Sequence, residues 1–202
     1  MNIVIVDYGS GNLRSVQKGF ERGGYAAIIT SSPNAVSDAT HLVVPGVGAF
    51  SACMKNLEQL HLLKPIKQAI LAGKPYLGIC LGLQILFTEG EEFGAFPGLD
   101  IIPGKVVRFQ ESRLKVPHMG WNQIHVKKET PCLSDIPENS YFYFVHSYYG
   151  LPKEENCVAA TTEYGIDFPS AIARDNIFAC QFHPEKSQAL GLRILSNFAR
   201  QK

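Results

Sequence analysis

The sequence predicts an α/β fold with three layers, in which a mainly parallel central sheet with antiparallel additions carries helices on both faces. Up to Gly90, short β-branched runs alternate with segments of helical periodicity, as is typical of parallel strands joined by crossover helices. After Gly90 the pattern changes to short strands joined by turns, which favours antiparallel pairing. Because no repeat or linker divides the sequence, we expect one domain over residues 1–202.

The elements of the first half follow from its apolar runs and its glycines. Ile3 to Val6 is a continuous β-branched run, as expected for a strand buried on both faces. A helix is predicted from Asn12 to the Gly23-Gly24 pair, which ends it. The other predicted elements here are strands over 26–30, 41–44 and 76–80, a tight loop over 45–48, helical segments through Leu57 and Leu63 to Gly73, and a helix over 81–88.

The second half is predicted to contain strands and one closing helix. The strands cover 101–109, 123–128, 141–148, 157–164, 171–174 and 177–182. The closing helix carries Leu190, Ile194, Leu195 and Phe198 on one side, which would pack it against the sheet. In a parallel sheet of this kind, ligands gather at the carboxyl ends of the strands.

Charge and cysteine content exclude several classes of protein. With 19 basic and 18 acidic residues the formal net charge is +1, so neither nucleic acid nor an anionic membrane is expected as a partner. No apolar stretch approaches the ~18 residues that a bilayer requires, and the amino terminus lacks the pattern of a secretion signal. The five cysteines form no CxxC pair, which favours a reduced, cytoplasmic chain.

The segment Gly78-Ile79-Cys80-Leu81-Gly82 is typical of a nucleophile elbow. It lies where an apolar strand ends and a helix is expected to begin, with glycines two residues on either side of Cys80. At such a turn the sulfur is presented outward, and the first N–H groups of the helix stabilise a thiolate and an oxyanion. The remaining cysteines lack this setting and are expected to be buried apolar residues: Cys53, Cys132, Cys157 and Cys180.

His183-Pro184-Glu185 supplies the base and its orienting carboxylate. The triplet follows the apolar run 177–182, and side chains two residues apart on an extended chain point the same way, with Pro184 expected to keep the chain extended. The carboxylate of Glu185 would fix the tautomer of the imidazole and favour its protonated form. Together with Cys80 this completes the three roles of a cysteine nucleophile site.

The glycine-rich segment Pro45-Gly46-Val47-Gly48 is a candidate oxyanion loop. It follows the third strand, so its backbone should emerge at the same rim as Cys80, with N–H groups unshielded by side chains. Gly9-Ser10-Gly11 lacks the third glycine of a dinucleotide fingerprint, and the histidines show no metal spacing. We therefore expect neither a cofactor nor a metal.

The elbow around Cys80 together with His183-Pro184-Glu185 resembles the triad-type (class I) glutamine amidotransferases. Within that family, further segments resemble the glutaminase subunits of imidazole glycerol phosphate synthases. These segments are Asp7-Tyr8-Gly9-Ser10-Gly11-Asn12-Leu13, Pro45-Gly46-Val47-Gly48-Ala49-Phe50, Pro117-His118-Met119-Gly120-Trp121-Asn122, Phe144-Val145-His146-Ser147-Tyr148-Tyr149 and His183-Pro184-Glu185-Lys186-Ser187.

The resemblance implies a reaction and a partner. Glutamine would be hydrolysed to glutamate and ammonia through a thioester on Cys80. The ammonia would pass through a tunnel into a (β/α)₈-barrel cyclase subunit, forming a heterodimer that makes imidazole glycerol phosphate and aminoimidazole carboxamide ribotide in histidine biosynthesis. Because free ammonia is wasted, the 45–48 loop is expected to be misaligned until the partner docks.

The resemblance also assigns residues to the substrate. The oxyanion would be held by the backbone N–H of Leu81 and one from Val47 or Gly48. The residues expected to bind the amine and carboxylate of glutamine are Gly46, Gly48, Gln84, Glu92, Ser147 and Tyr148.

The docking surface for the cyclase is expected to surround the site. Trp121, the single tryptophan, lies in a polar, turn-rich segment and is a reasonable interface anchor. The resemblance gives Lys186 a salt-bridge role with the cyclase. The full set of expected interface residues is Asn12, His118, Met119, Trp121, Asn122 and Lys186.

Three alternatives remain open from the sequence. One is another class I glutaminase, such as that of pyridoxal phosphate synthase, which the 117–122 segment disfavours. A second is a cysteine peptidase or amidase that uses the same three groups. The third is a catalytically silent scaffold that only binds the barrel protein, which the intact Cys80, His183 and Glu185 weigh against.

Overall fold

The computed structural model describes residues 1–110 and 114–201. The strands are β1 (Ile3–Val6), β2 (Ala27–Thr30), β3 (His41–Gly46), β4 (Tyr76–Cys80), β5 (Phe87–Gly90), β6 (Phe96–Pro97), β7 (Ile102–Arg108), β8 (His118–Gln123), β9 (His125–Val126), β10 (Tyr141–His146), β11 (Tyr148–Pro152), β12 (Val158–Glu163), β13 (Asp167–Arg174) and β14 (Ile177–Cys180). The α-helices are α1 (Leu13–Arg22), α2 (Pro33–Ser37), α3 (Phe50–Gln59), α4 (Leu63–Leu71), α5 (Leu81–Gln84) and α6 (Gln188–Ala199). Short 3-10 turns cover Pro131–Leu133, Glu155–Cys157 and Pro184–Lys186.

The central sheet has eight strands in the order β2-β1-β3-β4-β14-β13-β12-β9. From β2 to β14 neighbouring strands are parallel. From β14 to β9 they are antiparallel. This arrangement confirms the predicted class of fold, and it brings the carboxyl ends of β3, β4 and β14 to one rim of the sheet.

Helices cover both faces of this sheet because its parallel strands are apolar on both sides. In β1, Ile3 and Ile5 pack in a cluster with residues of α1 and α6. Val4 and Val6 point the other way, into a cluster with residues of α3 and α4. Burying one such side chain contributes roughly 1.5–3 kcal/mol, so each strand is held from two sides.

The prediction of a helix over 81–88 is wrong, because the observed helix is shorter. Helix α5 ends at Gln84, and the chain continues into β5 (Phe87–Gly90). The reason is long-range hydrogen bonding, because the carbonyls of Ile85 and Leu86 accept from the N–H groups of residues 99, 101 and 102. With these acceptors engaged, the chain beyond them continues as β5, which joins a four-stranded sheet of order β11-β7-β5-β6.

The predicted strand over 141–148 is interrupted at Ser147. The part before it, β10, pairs with β8 in a two-stranded antiparallel sheet, and the part after it, β11, pairs with β7. The strand predicted over 123–128 is likewise divided, between β8 and β9. Ser147 therefore lies where two small sheets meet. Among residues 1–110 and 114–201, no helix has both the length and the apolar character needed to cross a membrane.

The two glycines of the elbow are required by close backbone approach. A Cβ on Gly82 would lie 1.7 Å from the carbonyl oxygen of Val44 in β3. A Cβ on Gly78 would lie 2.4 Å from the carbonyl oxygen of Gly82. Glycine at these two positions lets α5 pack directly on β3 and β4, which fixes where Cys80 lies.

We expect Gly82→Ala to lower the free energy of unfolding by about 3 kcal/mol, because the added methyl group meets backbone that cannot move aside. Urea unfolding followed by circular dichroism measures this. Gly73→Ala is the matched control, since its Cβ meets no atom of the described part of the chain within 4 Å and only its φ of +81° is unfavourable, at a cost of about 1 kcal/mol. Equal losses in the two variants would contradict the packing argument.

Candidate active site

Cys80 lies at the end of β4 in a strained backbone conformation. Its φ is 54° and its ψ is −105°, and its side chain is buried. A non-glycine residue in a region so sparsely populated costs roughly 1–3 kcal/mol, and such residues are concentrated at active sites. Across the sheet Cys80 is paired with Gly46 of β3. The predicted elbow geometry is therefore present, although α5 is too short to supply more than its first N–H groups.

His183 and Glu185 form a buried, hydrogen-bonded pair just after β14. Nδ1 of His183 lies 2.8 Å from Oε1 of Glu185, and both side chains are at most 2% exposed. The chain between them is not extended as predicted, because Pro184 begins a 3-10 turn in which the N–H of Lys186 donates to the carbonyl of His183. Proline suits the first position of a helical turn, since its fixed φ is helical and its missing N–H is not needed there.

A second residue holds the carboxylate of Glu185 in place. Nδ2 of Asn12, the residue before α1, donates to Oε1 at 3.1 Å. A buried carboxylate needs such donors to offset its desolvation. Asn12, predicted as an interface residue, therefore also touches the buried pair and connects it to the first loop of the sheet.

The environment of His183 favours the protonated imidazole. Burial lowers its pKa, but the interaction with the neighbouring Cys80 and the hydrogen-bonded carboxylate of Glu185 outweigh burial and raise the pKa of His183 to about 10. Nδ1 is engaged with Glu185, so Nε2 is the nitrogen left for the sulfur. Nε2 forms no hydrogen bond of ordinary geometry with the residues that are described. Such contacts commonly tighten only when substrate binds.

Gln181 contacts the nucleophile and was missed by sequence reasoning. Its side chain is fully buried and Nε2 lies 3.5 Å from the sulfur of Cys80. Its Oε1 accepts a hydrogen bond of 3.1 Å from Nε2 of Gln84. The sequence does contain a signal, an amide inside the apolar run 177–182, because a buried amide must find partners.

A cleft of about 610 Å³ opens above Cys80. It contains most of the residues predicted to bind substrate. Its lining residues are Asn12, Val47, Gly48, Ala49, Cys80, Leu81, Gln84, Glu92, Pro117, Val145, His146, Ser147, Tyr148 and Lys186. Gly46 is not among them: it is the last residue of β3, and Tyr8 and Leu81 occupy the space next to its Cα.

The candidate oxyanion loop is held by its neighbours. Gly48 has a φ of +102°, a conformation that glycine adopts without strain. The Ser10 hydroxyl donates a hydrogen bond to the carbonyl oxygen of Val47. On the other side of the loop, Oε2 of Glu92 accepts from the N–H of Phe50 at 2.6 Å, at the start of α3. The backbone before and after Gly48 is thus held by contacts with Ser10 and Glu92.

The predicted docking residues differ in exposure: Met119, Trp121 and Lys186 are exposed, Asn12 and Asn122 are half-buried, and His118 is buried. Met119 and Trp121 are 63% and 46% exposed on β8, and Lys186 lies 5.5 Å from the ring centroid of Tyr143 beside them. His118 is only 3% exposed, so its side chain does not belong to the surface as expected. The reason is that β8 alternates, which turns His118 inward while Met119 faces solvent.

Within the described ranges, no three side chains of His, Cys, Asp or Glu come together as a ligand set.

Comparison with known proteins gives a family. Residues 4–202 match the model of the family "Glutamine amidotransferase class-I". Imidazole glycerol phosphate synthase subunit HisH of Geobacter metallireducens is 55% identical, over 99% of this chain and 98% of the relative. The same subunit of Syntrophotalea carbinolica is 56% identical, over 97% and 98%. The solved structure of PurLQS from Thermotoga maritima superposes with a TM-score of 0.77 over 98% of this chain and 97% of that chain, at 15% identity, and supports the fold.

The full-length matches confirm the resemblance first seen around Cys80 and His183. The chain belongs to the class I glutamine amidotransferase family and, within it, to the HisH subunits of imidazole glycerol phosphate synthase.

Proposed function

We propose that this chain, acting as one domain, is the glutaminase of an imidazole glycerol phosphate synthase and uses Cys80, His183 and Glu185 as its catalytic residues. The observation that carries the proposal is Cys80 in a strained elbow, beside an imidazole whose far nitrogen lies 2.8 Å from a buried carboxylate. Membership of the HisH family supports glutamine as the substrate and histidine biosynthesis as the pathway.

Before substrate reacts, Cys80 gives its proton to Nε2 of His183, and the raised pKa of His183 favours the resulting pair of thiolate and protonated imidazole. The thiolate attacks the side-chain amide carbon of glutamine, forming a carbon–sulfur bond and an oxyanion. The oxyanion collapses and the carbon–nitrogen bond breaks, while the proton on His183 moves to the departing nitrogen and gives ammonia. A water molecule then loses a proton to His183 and attacks the thioester, which releases glutamate and returns the proton to Cys80.

The oxyanion accepts hydrogen bonds from the backbone. The N–H of Leu81, directly after the nucleophile, is one donor in our proposal. The second comes from the loop at Val47 and Gly48, once the peptide between them turns its N–H towards the cleft. The hydrogen bond from Ser10 to the Val47 carbonyl supports a resting loop that must reorganise, which would couple hydrolysis to docking of the partner.

The substrate's amine and carboxylate bind along the cleft floor and wall. Glu92 supplies a negative charge for the ammonium group, and Gln84, Ser147 and Tyr148 supply polar contacts. Gly48 leaves room for the ligand, since no atom of the described residues lies within 4 Å of the position of a Cβ there.

The partner is a (β/α)₈-barrel cyclase that receives the ammonia directly. In bulk water ammonia is protonated and diffuses away, so a sealed interface around the cleft is required. The exposed Met119, Trp121 and Lys186 adjoin this side of the molecule and are suited to the contact. Tryptophan is among the residues most enriched in binding hot spots.

Cys80→Ala should abolish glutamate release from glutamine, because no nucleophile remains. Release is measured for the chain mixed with the cyclase and its nucleotide ligand. Cys53→Ala is the matched control, since Cys53 is buried in α3 and has no role in the proposed reaction. Retention of wild-type turnover by Cys80→Ala, or no turnover by the wild-type complex, would overturn the proposed function.

Glu185→Gln should lower the pKa of His183, because it removes the negative charge beside Nδ1. The folded-state pKa of about 10 lies above the ordinary value of 6.5. Protonation of His183 therefore stabilises the fold fully below pH 6.5, and this contribution is lost as the pH rises towards 10. In the variant, the fall in stability over this range should be smaller.

Histidine NMR titration measures the pKa, and urea unfolding at pH 6 and pH 10 measures the stability. Glu138→Gln is the control, because Glu138 lies 3.4 Å from the part-exposed His125. An unchanged titration of His183 in Glu185→Gln would contradict the role given to Glu185.

Trp121→Ala should weaken binding to the cyclase by at least about tenfold, the loss typical of an aromatic hot spot. Isothermal titration calorimetry with the purified cyclase measures the dissociation constant. Leu71→Ala is the matched control, because Leu71 is also exposed but lies on α4, away from the cleft. Equal affinities for the Trp121→Ala variant and the wild type would remove Trp121 from the interface.

A further inference from the structure

Two buried histidines form part of a chain of hydrogen bonds that leads from strand β8 to the nucleophile. The proposed mechanism makes no use of them. His118 lies on β8 and His146 on β10, directly opposite each other in the two-stranded sheet. Nδ1 of His118 lies 3.0 Å from Nε2 of His146.

The series of hydrogen bonds continues from His146 to the sulfur of Cys80. Nδ1 of His146 lies 2.8 Å from the carbonyl oxygen of Tyr148, which also accepts from Nε2 of Gln84 at 3.0 Å. Nε2 of Gln84 donates in addition to Oε1 of Gln181, whose Nε2 lies 3.5 Å from Cys80. Consecutive hydrogen-bonding contacts therefore connect His118 to the sulfur of Cys80.

Only one arrangement of protons satisfies this chain. A carbonyl oxygen accepts and never donates, so Nδ1 of His146 must carry its proton and Nε2 must accept. The proton shared with His118 then belongs to Nδ1 of His118, which leaves Nε2 of His118 as an acceptor.

The other end of the chain requires the same arrangement independently. Nδ2 of Asn122 donates to the carbonyl oxygen of Glu163 at 2.9 Å, and its Oδ1 accepts from the N–H of Gln123. This fixes the orientation of the Asn122 amide. Its nitrogen faces Nε2 of His118 at 3.2 Å, which must therefore accept.

The surroundings keep both imidazoles neutral. The ring of His118 is stacked between Phe144 and Tyr164, with centroids at 4.8 and 4.0 Å. Burial lowers the pKa of His118 to about 4 and, together with the neighbouring His118 and His183, lowers the pKa of His146 to about 3. Each ring therefore has one donor and one acceptor at neutral pH, as the chain requires.

These hydrogen bonds determine the orientation of the side-chain amide of Gln84, which lines the cleft. Both hydrogens of its amide nitrogen are used within the protein, by Tyr148 and Gln181. What Gln84 offers a ligand is therefore its oxygen, an acceptor suited to an ammonium group. If the carbonyl of Tyr148 lost its bond to His146, it would keep, among the described residues, only the hydrogen bond from Gln84, so that bond would no longer hold the Gln84 amide against a carbonyl that is fixed from its other side.

We propose that His118 and His146 are positioning residues, which hold the carbonyl of Tyr148 and thereby keep the amide oxygen of Gln84 directed at the ammonium group of the substrate. This inference rests on the proposed function for the identity of that substrate as glutamine. Neither imidazole touches the reacting atoms in this role, so their loss should weaken binding more than it slows chemistry.

The test uses His118→Phe and His146→Phe in the full chain assembled with the cyclase. Phenylalanine keeps the aromatic packing and removes the hydrogen bonds. We expect KM for glutamine to rise about tenfold and kcat to change less than about threefold, as for the loss of one or two ground-state hydrogen bonds. His146→Asn, whose amide nitrogen can replace Nδ1, should restore KM in part. Tyr164→Phe is the matched control, because it keeps the ring on His118 and loses only a hydrogen bond to Lys115 outside the chain.

A second measurement does not depend on turnover. In the ¹⁵N-labelled wild-type protein, His118 and His146 should both be neutral with the proton on Nδ1 between pH 6 and 8. A proton on Nε2 of His146, or an unchanged KM in a folded His146→Phe variant, would overturn the inference. Absence of glutamate release by the wild-type complex would overturn the proposed function instead, and the NMR result would still decide whether the positioning chain exists.

Discussion

The buried pair of His183 and Glu185 is the interaction on which the arrangement of the site depends. Its two charged or polar groups are almost fully removed from water, so their 2.8 Å contact and the hydrogen bond from Asn12 must offset the desolvation. These contacts tie β14 to the first loop of the sheet. The raised pKa of His183 favours a positive charge on the imidazole beside Cys80, which is the electrostatic condition for a thiolate nucleophile.

The sheet explains why these groups meet although they are far apart in sequence. Neighbouring parallel strands end at the same rim. The loop at Val47 follows β3, Cys80 is the last residue of β4, and His183 lies just after β14, so all three meet at this rim. The antiparallel pair β8 and β10 lies beside this rim and carries Trp121 on its outer side and the two histidines on its inner side. One small sheet thus contacts both the surface proposed for the partner and the cleft.

Local patterns were sufficient for the strand that ends at Cys80 and for α1, because apolar runs and glycines mark these boundaries directly. Local patterns were insufficient where contacts with a segment distant in sequence determine the secondary structure or the position of a side chain. Helix α5 stops early because residues 99–102 donate to the carbonyls of residues 85–87. Gln181 contacts Gln84 and Cys80, which are about a hundred residues away in sequence. His118 looked like a surface residue until the alternation of β8 placed it inside.

At Cys80 the positive φ lowers the folding stability, whereas the thiol at this position serves the proposed reaction. Glycine would adopt the same φ and ψ at no steric cost, so a cysteine there keeps the folded protein less stable than it could be. Selection for stability alone would therefore remove the thiol. Its presence in the elbow indicates that the chain is maintained for chemistry rather than for a scaffolding task.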